Sequence, residues 1–69
     1  MKYVITDHNK LACGTGCYHA DLAQAITGKV VSAGEFKIEN GLVKVWGTSS
    51  GFGISSKEED AKFIQDRIN

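Results

Sequence analysis

The sequence predicts an α+β fold: a small two-layer domain of order ββαββα, whose four-stranded, mainly antiparallel sheet carries two helices on one face. Three observations lead there. Asn40-Gly41 sits between two runs that alternate apolar and polar residues, and a shorter alternating pair flanks Asp7-His8-Asn9. Each pair is followed by a glycine-containing loop and then by apolar residues at helical spacing.

In chain order, residues 2–6 (KYVIT) form a first strand and Lys10 to Cys13 a second. The three-residue loop between them lets Asn9 take the left-handed conformation that Asn tolerates. Thr6 then pairs with Lys10, Ile5 with Leu11 and Tyr3 with Cys13, which gathers Tyr3, Ile5, Leu11 and Cys13 on one face. Gly14-Thr15-Gly16 breaks the ribbon. A helix follows from Tyr18 or His19 to Thr27, with Leu22, Ala23, Ala25 and Ile26 at helical spacing and Gly28 as its stop. So short a helix holds only if its Leu22/Ile26 face is packed.

The central hairpin, Val30 to Thr48, turns at Asn40-Gly41, where both residues can adopt the positive φ of a type I′ turn. Glu39 then pairs with Leu42, Ile38 with Val43, Phe36 with Val45 and Gly34 with Gly47; the opposite side carries Lys37 against Lys44 and Glu35 against Trp46. A glycine- and serine-rich loop leads to a second helix. Ser55 or Ser56 is the expected N-cap, with Glu58 or Glu59 three positions on. Glu58, Glu59 and Asp60 load the first turn with negative charge, Arg67 sits in the last, and Ala61, Phe63, Ile64 and Ile68 form the apolar stripe.

Lys2 to Ile26 and Val30 to Ile68 thus share one order of elements, with Gly14-Thr15 placed as Gly47-Thr48 is. Identity between them is too low to establish a duplication. The expectation is one domain over 1–69, divided at about 2–28 and 30–69, with Ile5, Phe36, Ile38, Val43 and Val45 beneath both helices.

Apolar residues are 42% and charged residues 23% of the chain, the balance of a folded domain. Eight basic residues offset eight acidic ones, so no overall field draws nucleic acid or an acidic membrane. There is no apolar run that would span a bilayer or serve as a signal peptide, and the cytoplasm is the expected location.

Cys13-x-x-x-Cys17-x-His19, with His8 nearby, brings four potential metal ligands close in sequence. A second ligand pair is missing and His8 lies at the far end of the first hairpin, so no metal site is expected and the cysteines read as small buried thiols. Cys17 near a helix start, with His19 beside it, has the beginnings of an activated nucleophile, but nothing supplies a third group to orient the imidazole. No catalytic residue is assigned. The glycine loops offer a ligand-binding alternative, an anion or phosphoryl site built from Gly14, Thr15, Gly16, Cys17, His19, Thr48 and Ser50. Both loops lack the Lys-Ser/Thr of a nucleotide P-loop, and tight strand-to-helix corners need the same glycines. Phe52, between two glycines, is expected to plug an end of the core, with a binding anchor as the alternative.

The leading expectation is a non-enzymatic interaction module, of the accessory, inhibitor or adaptor kind known from phages and mobile elements. It would bind a protein partner through the solvent side of its sheet, using Trp46, Lys44, Lys37 and Glu35. Lys37 opposite Lys44 is a like-charge pair that a partner's carboxylates would relieve. A second copy of the chain is a further candidate partner. No cofactor, nucleic acid or membrane is expected.

Overall fold

The structure, a computed structural model, describes residues 1–68; the last residue of the 30–69 half lies outside them. Strands β1 (Lys2–Thr6), β2 (Leu11–Gly14), β3 (Val30–Glu39) and β4 (Leu42–Trp46) make an antiparallel sheet of order β2-β1-β3-β4. Helix α1 (His19–Ala23) lies between β2 and β3, and helix α2 (Glu59–Ile68) closes the chain. Two short strands, β5 (Thr48–Ser49) and β6 (Ile54–Ser55), pair with each other after β4.

The turn chemistry sets the register as expected. Asn9 and Asn40 have φ of 58° and 54°, and Gly41 follows at 79°, as a type I′ turn requires. Tyr3 pairs with Cys13 and Ile5 with Leu11; Glu39 pairs with Leu42, Lys37 with Lys44 and Glu35 with Trp46. The ten-residue β3 serves two neighbours. Its first half pairs with β1, from Thr6 opposite Val30 to Lys2 opposite Glu35, with a bulge at Val31, and its second half pairs with β4. The Phe36 amide donates to the Met1 carbonyl at 2.8 Å, which lengthens the β1–β3 ladder.

The two helices divide between the faces, a departure from the expectation of both on one. Tyr3, Ile5, Phe36 and Val43 pack with Ile64, Ala61 and Phe63 of α2. Val4, Val30 and Ala33 pack with Leu22 and Ala23 of α1 and with Ile26 just beyond it. Successive strand residues point to opposite faces, so the neighbours Tyr3 and Val4 can be buried together only if both sides are covered. β1 is a central strand with Tyr3, Val4, Ile5 and Thr6 all buried, and it needs a cover on each side.

Helix α1 stops at Ala23, short of the expected Thr27. The Ala25 amide bonds the Leu22 carbonyl and the Ile26 amide that of Ala23, tighter i→i+3 turns that still bring Ile26 onto Val4. At α2 the expected serine caps are displaced. Ser55 belongs to β6, Ser56 faces the Tyr3 phenol, and the Lys57 amide donates to the Asp60 carboxylate at 2.8 Å while the Asp60 amide returns to the Lys57 carbonyl.

Gly34 is where the elements converge. A Cβ there would lie 2.7 Å from the Trp46 carbonyl oxygen and 2.9 Å from Ser56 Cβ, so only glycine lets the end of β4 and the approach to α2 close over β3. Gly47, at φ 83°, then turns the chain off the sheet, and the Ser56 amide returns to its carbonyl at 3.0 Å. No helix among the described residues is long and apolar enough to cross a membrane.

Candidate functional site

Helix α1 and Ile54 of β6 pack over Val4, Ala12 and Ala33 and leave the β3–β4 end of that face open. Strand alternation puts Glu35, Lys37 and Glu39 there from β3, and Leu42, Lys44 and Trp46 from β4. Trp46 is 45% exposed and Leu42 is more so. Lys37 and Lys44 oppose each other, but Glu39 answers both: its carboxylate lies 3.0 Å from Lys37 Nζ and 3.6 Å from Lys44 Nζ. The like-charge pair is thus answered within the protein by Glu39, a carboxylate of its own rather than a partner's. Glu35, half-buried, stands between Lys2 and Trp46 in one cross-strand row. Leu42 and Glu39 were missed from sequence, although their parity with Trp46 and Lys37 already puts them on this face.

At the other end of that row lies a concavity of about 420 Å³. Tyr18, His19 and Ala20 form one wall, the 49–52 loop forms the other, and Lys2 lies at its edge. Phe52 is 38% exposed and belongs to neither core cluster, so it lines this hollow instead of plugging the core. Tyr18 is the most exposed of the large hydrophobic side chains, at 78%.

The residues of the ligand-binding alternative separate. His19 and Ser50 border the concavity, whereas Gly14, Thr15, Gly16, Cys17 and Thr48 do not. The Cys17 thiol lies against Gly14, where an added Cβ would come within 3.3 Å of Sγ and 3.5 Å of Leu22 Cδ2. His19 is buried, with Nε2 2.9 Å from the Gly34 carbonyl oxygen. That oxygen only accepts, so Nε2 carries the hydrogen and the imidazole ties α1 to β3. Cys13, expected to be buried, is exposed on the edge strand β2. Among the described residues no three His, Cys, Asp or Glu side chains gather where they could hold a metal ion.

A second polar cluster escaped sequence reasoning. Asp60, 4% exposed, accepts on one carboxylate oxygen from Tyr3 Oη at 2.5 Å, from Ser32 Oγ and from the Lys57 amide. The signal was available: Asp60 precedes Ile64 by four residues and so lies on the buried stripe of α2. Burial first, then the hydrogen bond to Asp60 and its charge, hold the Tyr3 phenol well above the ordinary tyrosine range, against smaller opposing effects of Ser32 and Ser56. A phenol so held is a permanent hydrogen-bond donor and neither a nucleophile nor a base. The cluster therefore fastens the start of α2 to β1 and β3.

Compared with family models, curated proteins and solved structures, the chain finds no match in any of the three.

Proposed function

We propose that this chain is a cytoplasmic, non-enzymatic interaction module, one domain of the phage or mobile-element accessory type. It docks a partner protein on the open end of its sheet, with Trp46 as the anchor and Leu42, Lys37, Lys44 and Glu35 around it. The observation that carries this reading is Trp46 itself: the only tryptophan in the chain stands half exposed on the strand surface, on the same face as the exposed Leu42. Tryptophan anchors recur at interface hot spots because a large rigid ring gains much contact area at small entropic cost. Charges already balanced by Glu39 let the face approach a partner without strong net repulsion of either sign. A second copy of this chain is one partner the face could take, distinguishable by sedimentation.

Trp46 fluorescence tests the proposal. In the free protein its emission should be red-shifted and readily quenched by iodide. Proteins that a native lysate yields to the wild type and not to Trp46→Ala are then purified, and each true partner should blue-shift the emission and protect it from iodide. A Trp46 already shielded in the monomer refutes the reading, as does a set of bound proteins identical for both baits.

A further inference from the structure

The concavity bounded by residues 18–20 and 49–52 extends the row Trp46–Glu35–Lys2 around the end of the sheet. Its volume, about 420 Å³, falls within the range of clefts that seat organic groups. Its lining is mostly apolar and includes Tyr18, Ala20, Gly51 and Phe52, with Ser49 and Ser50 beside them. His19 is buried beside them, its Nε2 hydrogen committed to the Gly34 carbonyl. The one lysine among the lining residues is Lys2, and no carboxylate of the described residues forms an ion pair with it, although Glu35 lies on the adjacent strand. A site of this make-up has an apolar hollow and an unanswered cation at its edge.

We propose that this hollow receives an aromatic or branched apolar side chain from an acidic segment of the partner protein, with a neighbouring carboxylate of that segment meeting Lys2. The inference rests on the proposed function and gives the partner its chemistry. Two aromatic rings and a lysine could also suit a nucleotide. Against that, Lys2 is the one cation among the lining residues. A phosphate chain carries more negative charge than the one lysine of the lining answers, whereas a single carboxylate beside a hydrophobic group needs only one cation.

The test is selection from a displayed peptide library on the immobilised 69-residue protein. Affinities of the synthetic winners are then measured for the wild type, Lys2→Gln, Tyr18→Ala, Phe52→Ala and Trp46→Ala, with melting curves to confirm folding. The winners should carry Phe, Trp, Tyr or Leu within two positions of Asp or Glu. Lys2→Gln should weaken them about two- to five-fold, the effect of an ion pair at a rim. Tyr18→Ala and Phe52→Ala should each weaken them about ten-fold or more. Tyr18 is exposed, so its variant keeps the fold and the test stands even if Phe52→Ala does not. Winners without acidic residues, no winners at all, or tighter binding of a thymidine oligonucleotide than of any peptide overturn the proposal. Peptides lost to Trp46→Ala but indifferent to Tyr18→Ala and Lys2→Gln overturn it too, while leaving the Trp46 face in place. The opposite pattern sustains the hollow and removes Trp46 from the interface.

Discussion

Asp60→Ala should largely unfold this protein, although Asp60 touches no proposed binding surface. The substitution removes the acceptor of two buried hydroxyls, on Tyr3 and Ser32, and of the Lys57 amide that opens α2. A buried hydroxyl left without a partner costs about 1–3 kcal/mol, and loss of a helix-start acceptor about 1 kcal/mol. Together these come to roughly 3–7 kcal/mol, against the roughly 3–10 kcal/mol that a chain of this size has in total. Relief of the buried carboxylate's own desolvation cost trims the loss without cancelling it. The assay is urea denaturation followed by circular dichroism and by Trp46 emission. A second variant tests the reasoning itself: Tyr3→Phe with Ser32→Ala and Asp60→Ala leaves neither hydroxyl to orphan, so it should be more stable than Asp60→Ala alone. If Asp60→Ala costs less than about 1 kcal/mol, or the triple variant is no better, satisfaction of buried donors is not what the cluster provides.

Three further outcomes are expected. Val43→Asp, which puts a charge against Phe36 and Ile64, should abolish the folded circular dichroism spectrum, whereas Lys44→Asp, one residue on and exposed, should leave it intact; the reverse would place the hairpin one residue out of register. Gly34→Ala should destabilise by about 1–3 kcal/mol in a thermal melt, since its methyl meets backbone that cannot retreat; an unchanged melting temperature would mean that β4 and Ser56 do not close over β3. Because burial and then Asp60 raise the Tyr3 phenol, the folded chain keeps a proton that the unfolded chain releases near pH 10. That contribution to stability is complete below about pH 10 and is lost as pH rises beyond it, so Tyr3→Phe, less stable at pH 8, should lose less than the wild type between pH 10 and 11.5. Urea midpoints at the two ends of that interval decide it, and equal slopes would refute it.

Local chemistry explains what could be read in advance. Asn-Gly between alternating runs, and a three-residue loop ending in Asn9, lock strand parity, so every cross-strand pair of both hairpins followed from the sequence. The side each helix takes did not follow. KYVIT is apolar at both parities, a pattern that does not select one face for burial until β1 is known to be central. The cap of α2 was misjudged because Ser55-Ser56 matches the capping spacing as well as Lys57 with Asp60 does, and only the tertiary pull of Tyr3 on Asp60 separates them. Of the site, Trp46, Lys44, Lys37 and Glu35 were legible from parity. The hollow beside Tyr18 and Phe52 was not, since its walls come from distant segments with no shared periodicity.

The division of the helices between the faces bears on how the halves of the chain are related. β1 and β3 are antiparallel neighbours at the middle of the sheet. A two-fold rotation that exchanges such neighbours has its axis normal to the sheet, and that operation returns any helix to the face it started from. Helices α1 and α2 sit on opposite faces, so no rotation superposes the first hairpin and its helix on the second. The common order of elements is a likeness along the chain and not a point symmetry in space. A symmetric pair of units would present the same surface twice; this molecule has one sheet face beneath the longer helix and another bare at one end, and the two are not interchangeable.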